Sequence, residues 1–415
     1  MLTVDQALAK VLSAFHRLPA ETVPLAEAFG RVLAGDVVAS QDLPPFPNSS
    51  MDGYAVRAAD VAAASADQPI TLTVIEDIPA GRAPLHTIGA GQAARIMTGA
   101  MLPPGADAIV PVEQTAGGGR GFRDDQALIL PAEVSILGSS KAGDYVRPVG
   151  EDIRSGQAVL REGRVLRAAD LGVLAGLGVS QIAVIRRPIV AVISTGDELL
   201  TPDDPLEPGK IRDSNGYTIT AAAQSLGARA TYLGIARDTI AAVQDKLDAA
   251  ISMGADVILS SAGVSVGAFD VVKTVIESMG EIGFWKVNMR PGKPLAFGQV
   301  RGVPFLGLPG NPVSALISFD VFAHPAILKL AGKPHHPATT EAELAEPMRS
   351  DGRRTYLRVT LERADGKLVA RSTGTQSSGA LSSLVLADGL MIVPEGLTDI
   401  AAGTRLPVRL LTDAM

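Results

Sequence analysis

The stretch that decides the fold is IVAVISTGDE, Ile189–Glu198: five apolar residues in a row, then two small hydroxyls, a glycine and two acids. An apolar run of this length, bounded by Pro188 and Gly196, reads as a strand buried on both faces, as in a parallel sheet covered by helices. Downstream the rhythm repeats. A helix is expected from Asn215 to Leu226, a strand at Ala230–Ile235 and a helix at Ile240–Ile251. A strand at Asp256–Leu259, a helix at Phe269–Met279 and a short run at Phe284–Val287 follow, and a helix after Asn311 closes the domain near Ala331. Apolar strands alternating with helices predict βαβ units and a parallel sheet.

In such sheets ligands bind beyond the carboxyl ends of the strands, and four unusual loops stand there. Ser194-Thr195-Gly196-Asp197-Glu198 admits a ligand close to the backbone, and its carboxylates suit a hard cation; a helix N-cap with an acidic first turn fits equally well. Ser260-Ser261-Ala262-Gly263-Val264-Ser265-Val266-Gly267 offers either a cradle of backbone N–H groups for phosphate or a tight strand-to-helix turn. Asp270 then falls in the first helical turn. Lys286, Arg290 and Lys293 stand within a loop stiffened by Pro291, Gly292 and Pro294, which suggests an anion site with a planar fork and a point charge. Leu308–Ser314, LPGNPVS, is a rigid loop entering a helix, and composition alone makes it a proline-rich turn.

Working outward, PPFPNSS (Pro44–Ser50) is a turn-rich hinge. From there to about Asp144, short β-rich runs at Ile70–Ile75, Ala108–Val112 and Ala127–Leu130 predict a small β module. Leu8, Val11, Leu12 and Phe15 recur at helical spacing near the start. Beyond Ala331, KPHHP (Lys333–Pro337) reads as a linker. Alternation in Tyr356–Leu361 and the Asp365-Gly366 turn then predict a small β-domain.

Composition narrows the chemistry. Among 415 residues there is no cysteine, which excludes disulfides, thiolate metal sites and a cysteine nucleophile. Five histidines make a histidine-rich metal site improbable, so acid–base or metal work falls to Asp, Glu and Lys. The net charge of −7 and the lack of a basic block argue against nucleic-acid binding. The first residues lack the pattern of a secretory signal, and the apolar stretch Leu171–Ile185 is too short to span a bilayer. The expectation is a cytoplasmic protein with no membrane partner. Gly89–Ala94 fits a loose dinucleotide fingerprint but lacks a surrounding strand–turn–helix unit.

Taken together, PPFPNSSMDGYAV (44–56), RIMTGAMLPPGADAIVPVE (95–113), VGEDI (149–153), VAVISTGDEL (190–199), SSAGVSVGAFD (260–270), FWKVNMRPGKP (284–294) and GLPGNPVSAL (307–316) resemble the MoeA-type molybdopterin molybdenumtransferase family, which includes the E-domain of gephyrin. SGALSSLVLADGLMIVPEG (378–396) is a looser match. Ala262 departs from the pattern where the family usually has a second glycine.

The resemblance implies an α/β multidomain fold. Its parts would be an extended N-terminal domain from residues 1–50 plus 144–185, an inserted β-rich domain at 51–143, a Rossmann-like three-layer α/β domain at 186–332 and a small barrel-like β-domain at 333–415. It implies a homodimer whose cleft lies between the α/β domain of one subunit and the inserted region of the other. The implied reaction joins molybdate to adenylylated molybdopterin, releasing AMP, with Mg²⁺. Matching positions carry over Asp52, Thr98, Asp152, Glu198, Asp238, Asp270 and Lys286 as catalytic residues, with Glu198, Asp238 and Asp270 on the metal. Ser194, Thr195, Gly196, Asp197, Ser260, Ser261, Gly263, Ser265 and Gly267 would hold the pterin and phosphates. Arg290, Lys293, Pro294, Ser314, Arg358 and Ser378 would form the molybdate pocket. A molybdopterin adenylyltransferase is a further expected partner. The alternatives are an ATP-dependent molybdopterin adenylyltransferase, which shares the α/β domain, and a non-catalytic gephyrin-like scaffold.

Overall fold

Val190 and Val192 enter one hydrophobic cluster and Ala191 and Ile193 another, all at most 3% exposed. The unbroken apolar run is therefore explained by two buried faces. The computed structural model describes residues 1–117, 130–261 and 269–411. They form two units: Met1–Val23, Ala28–Ala34 and Ala183–Met415 make one, and Pro24–Glu27 with Gly35–Ile182 the other.

The unit containing Gly35–Ile182 holds a five-stranded sheet of β1 (Gly53–Val56), β2 (Ile70–Ile78), β3 (Gln92–Ile96), β4 (Ala108–Pro111) and β5 (Glu133–Ile136), in the order β4-β1-β3-β2-β5. The parallel β2–β3 pair is the exception among antiparallel neighbours. Gly53 sits mid-sheet because a Cβ there would stand 2.1 Å from the Val110 carbonyl oxygen. A separate cluster of Ala39, Ile153 and Leu177 packs beside the helix Ala168–Gly176. The β run expected at Ala127–Leu130 lies, but for Leu130, outside the described residues.

The other unit begins with α1 (Val4–Ser13), capped by a reciprocal Thr3–Gln6 box. Its central sheet comprises β6 (Ile189–Thr195), β7 (Arg229–Ala236), β8 (Val257–Ser261), β9 (Gly280–Lys286), β10 (Pro294–Val300) and β11 (Val303–Leu308), ordered β7-β6-β8-β11-β10-β9. Helices α2 (Asn215–Ser225), α3 (Ile240–Ser252) and α4 (Phe269–Met279) connect strands. Then α5 (Pro312–Ser318), a five-residue π turn and α6 (His324–Leu330) run continuously. Pro325 offers no N–H, which suits the widened turn before it. One face of the sheet packs on α1, α2, α5 and α6, the other on α3 and α4, giving three layers.

The sheet is not wholly parallel. β10 runs antiparallel to both neighbours, while β6, β7, β8, β9 and β11 share one direction. The fourth in-line parallel strand is β11, not the run at Phe284. The chain reaches it through the two-residue hairpin Arg301-Gly302, both at positive φ. A connection that short cannot join parallel strands. Pro312–Leu330 is also long and apolar enough to cross a bilayer, but 72% of it is buried in this core.

The C-terminal strands β12 (Thr339–Leu344), β13 (Arg354–Ala364), β14 (Lys367–Ser372), β15 (Gly389–Val393) and β16 (Arg405–Leu410) pair in the order β13-β14-β12-β16-β15, and β15 returns to β13. The result is a closed five-stranded barrel, which leaves no open edge.

One ion pair pins the amino ends of β6 and β8. Asp256 accepts from the Arg186 guanidinium at 2.6 and 3.0 Å and from the Ile189 amide at 2.7 Å. Asp256→Ala should leave that guanidinium and amide unpaired and cost about 2 kcal/mol. The expected readout is a lower urea midpoint with an unchanged m value.

Candidate active site

All parallel strands end at one edge of the sheet, and the loops singled out by sequence start there, the second of them described only as far as Ser261. Near the end of β6, Ser194 is fully buried and its hydroxyl donates to Asp213 at 2.7 Å. Thr195 follows with its Oγ1 buried and unpartnered. Gly196 holds φ +146°, and a Cβ there would stand 2.4 Å from the Glu198 carboxylate. The loop is clamped through its backbone: Lys210 and Arg237 donate to the Asp197 carbonyl at 2.6 and 2.9 Å. Asp197 and Asp238 exchange amide-to-carboxylate contacts at 3.2 and 3.4 Å, and Asp238 keeps one buried oxygen, Oδ1, without a partner. The Glu198 carboxylate is exposed and has no partner among the described residues.

Asp213, Asn215 and Tyr232 escaped the sequence reading. The Asp213 carboxylate, 5% exposed, accepts from the Ser194 hydroxyl, the Tyr232 phenol and the amides of Asn215 and Gly216. Burial, then the bond to Asp213, pushes the Tyr232 phenol well above its ordinary value. The Asn215 amide nitrogen donates to the Ser261 hydroxyl and to the Gly310 carbonyl, both at 2.7 Å. It thus ties the end of β8 to the loop entering α5. The available signal was an acid two residues before a helix start, which is a capping pattern. Ser260 has a buried, unpartnered Oγ. Gly263, Ser265 and Gly267 lie outside the described residues, as does the Asp270 side chain, although Asp270 belongs to α4.

The third and fourth loops meet the barrel. Met289–Arg290 pairs in parallel with Arg354–Thr355, and the amide of Val313 donates to the Ser378 carbonyl. Between them lies a cavity of about 500 Å³ lined by Arg290, Lys293, Ser314, Arg349, Arg353, Tyr356, Arg358 and Ser378. The structure thus brings five of the six residues assigned to molybdate to one cavity, with Pro294 adjacent in the chain. Lys286 ends β9, exposed and off the cavity lining.

The charges in this cavity are unequal. Asp351 stands 3.6 Å from Arg290 and is bonded by Arg353, which holds its carboxyl below the usual range. Asp399 pairs with Arg349 at 3.2 Å. Lys293 is exposed and has no partner among the described residues. Arg358 is 1% exposed and bonded to Ser383 and the carbonyls of Thr375 and Ser377, so it braces the loop carrying Ser378. Burial, then the charge of Arg290, lowers its pKa. Arg349 and Arg353 were missed because they lie in an exposed-looking stretch, RSDGRR, ahead of β13.

In the other unit, Asp52 and Thr98 meet: the Asp52 carboxylate accepts from the Thr98 amide at 2.7 Å and its hydroxyl at 2.8 Å. Asp152 is exposed, with no side-chain partner among the described residues.

Three family models match the chain in succession: the MoeA N-terminal region (domains I and II) over residues 2–178, the "Probable molybdopterin binding domain" over 191–329, and the MoeA C-terminal region (domain IV) over 341–411. Molybdopterin molybdenumtransferase 2 of Mycobacterium tuberculosis is 43% identical over 402 residues, covering 94% of this chain and 95% of the relative. The molybdopterin molybdenumtransferase of Bacillus subtilis is 34% identical over 418 residues, covering 99% and 94%. A MoeA protein of molybdopterin biosynthesis from Pyrococcus horikosii superimposes with a TM-score of 0.81 at 33% identity, over 99% of each chain.

Tyr356, 4% exposed on the cavity wall, gives a pH prediction. Burial raises its phenol from 10 to about 12, so ionisation favours the unfolded chain. Its contribution should be complete below pH 10 and be lost as pH rises toward about 12. Urea unfolding across that range should show a shallower alkaline decline in Tyr356→Phe than in the native chain.

Proposed function

The chain belongs to the molybdopterin molybdenumtransferase (MoeA) family, and from that premise we propose that it inserts molybdenum, joining molybdate to adenylylated molybdopterin with release of AMP. It is a transferase of molybdenum cofactor biosynthesis. The observation that carries the finer reading is the cationic cavity beside the strand-end loops. A tetrahedral dianion needs a small, stiff, positive pocket, and Lys293 and Arg290 reach the cavity from one stiff loop while Ser314 presents a hydroxyl from α5. The Lys293 ammonium is free to take an oxyanion. Arg358 acts by holding the Ser378 loop in place.

The pterin and its phosphates would lie along the loops at Ser194–Asp197 and Ser260–Gly267. The unpartnered Thr195 and Ser260 hydroxyls are donors waiting for such a ligand. Mg²⁺ is the implied metal, and the donors here are hard carboxylate oxygens, one of them the buried, unpartnered Oδ1 of Asp238. Among the described residues no three metal-binding side chains cluster, but Mg²⁺ typically takes one or two carboxylates plus substrate phosphates. Glu198 and Asp238 would hold it, with Asp270. There it would supply neutralisation of phosphoanhydride oxygens. Lys210 and Arg237 fix the backbone that carries Asp197 and Glu198.

Asp52 and Thr98 from the inserted region of a second subunit, and Asp152 from its extended domain, would complete the site, which makes the working form a homodimer. Lys286, exposed off the cavity, would act on the approach to it. An adenylyltransferase that supplies the adenylylated substrate is the natural partner, and the cytoplasm the natural compartment.

The test is turnover with adenylylated molybdopterin, Mg²⁺ and varied molybdate, following AMP. Lys293→Ala should raise the molybdate concentration for half-maximal rate by about tenfold or more. An unchanged molybdate dependence would remove Lys293 from the pocket. Glu198→Gln should slow AMP release at saturating molybdate, and a wild-type rate there would reject the metal assignment. Adenylylation of molybdopterin from ATP would instead point to the adenylyltransferase reading.

A further inference from the structure

At the opposite edge of the central sheet, where β6 begins, lies a second cavity of about 220 Å³. It shares no lining residue with the cleft at the carboxyl edge. Four cations line it: Arg31, Arg186, Arg187 and Lys333. Two are neutralised. Arg31 pairs with Glu21 and donates to the Ile185 carbonyl at 2.7 Å, and Arg186 is held bidentate by Asp256.

The other two are not. The half-buried Arg187 guanidinium has no hydrogen-bond or ion-pair partner among the described residues. Among the described residues the Lys333 ammonium meets no carboxylate, and it donates to the Leu226 carbonyl at 2.9 Å. Burial, then the charges of Arg187 and Arg31, lowers its pKa. Capping the carbonyl end of α2 accounts for one of the three ammonium donors. It does not account for a second unpaired cation beside it, which costs free energy unless an anion is present.

We propose that this cavity is an anion site that takes a phosphate group. A phosphate carries close to two negative charges, matching the two uncompensated cations, whereas a carboxylate would match one. The planar fork of Arg187 and the point charge of Lys333 suit its oxygens. The cavity is larger than a bare phosphate, and Phe29, 63% exposed on its rim, stands where the organic part of an ester would lie.

The test measures binding of inorganic phosphate and of AMP by equilibrium dialysis in the Arg290→Ala/Lys293→Ala chain, which silences the molybdate pocket, and reads the share of the binding that is lost on Arg187→Gln. A phosphate site outside the strand-end loops should remain, and Arg187→Gln with Lys333→Gln should weaken it by about tenfold or more. Because Lys333→Gln also removes a helix cap, Arg187→Gln alone, with an unchanged Tm, is the decisive variant. Phe29→Ala weakening AMP alone identifies an ester as occupant; equal binding of phosphate and AMP, both sensitive to Arg187, identifies free phosphate. No phosphate bound up to about 10 mM, or binding indifferent to Arg187→Gln, overturns the proposal.

Discussion

The cleft depends on one buried carboxylate. Asp213 accepts four hydrogen bonds, from the end of β6, from β7 and from two amides at the start of α2. An unpaired buried carboxylate would be costly, and four hydrogen-bond donors remove that cost. The consequence is positional. Ser194 and α2 are locked to a common point, and Asn215, fixed by that same point, reaches both Ser261 and Gly310. Three of the strand-end loops are thereby held in register. Gly216 is required beside it, because a Cβ there would press on the Tyr232 ring and on Asp213 itself.

The fourth loop is held by the barrel. Met289–Arg290 adds to β13, and Arg353 donates to the Met289 carbonyl at 3.1 Å. The loop between β9 and β10 is therefore paired directly to the barrel, and the cavity between them is lined from both sides. This explains why the positive charge of the cleft comes from two distant parts of the chain, 290–293 and 349–358. A pocket built on paired strands keeps its cations at fixed spacing, which a free loop would not.

Much of this was legible in sequence because it rests on local patterns. The strand at Ile189–Ile193, which the structure extends to Thr195, the helices at Asn215 and Ile240, and the helix at Phe269–Met279 follow from apolar period and caps, and the strand-end loops start where parallel strands must end. The cationic cluster at Lys286–Lys293 was visible because a −7 chain makes a local excess of charge conspicuous. What sequence could not give was long-range. The reversed strand β10 hangs on an Arg301-Gly302 turn, which lacks the Asn-Gly or Asp-Gly signal. The Asp213 hub joins residues 19 positions before it and 19 after it, which no spacing rule connects. Arg349 and Arg353 reach the cavity only because the barrel docks on Met289–Arg290. Pairings of this kind are set by tertiary contact and leave no periodic trace.

The polarity of the sheet then orders the charges at its two edges. Helices that follow parallel strands start at the carboxyl edge, so their positive ends and free amides face it. Carboxylates such as Asp213, Asp197 and Asp238 are stabilised there, and so are anionic ligands. Those helices end at the other edge, where their carbonyls draw cations. Lys333 on the Leu226 carbonyl is one such case. Helix ends explain why a lysine sits there, but they supply partial charges only, about half a unit each. They are too weak to balance Arg187 and Lys333 together. The surplus at the amino edge is therefore not a by-product of the βαβ layout, and among the described residues no carboxylate compensates it, which is the place the proposed anion would fill.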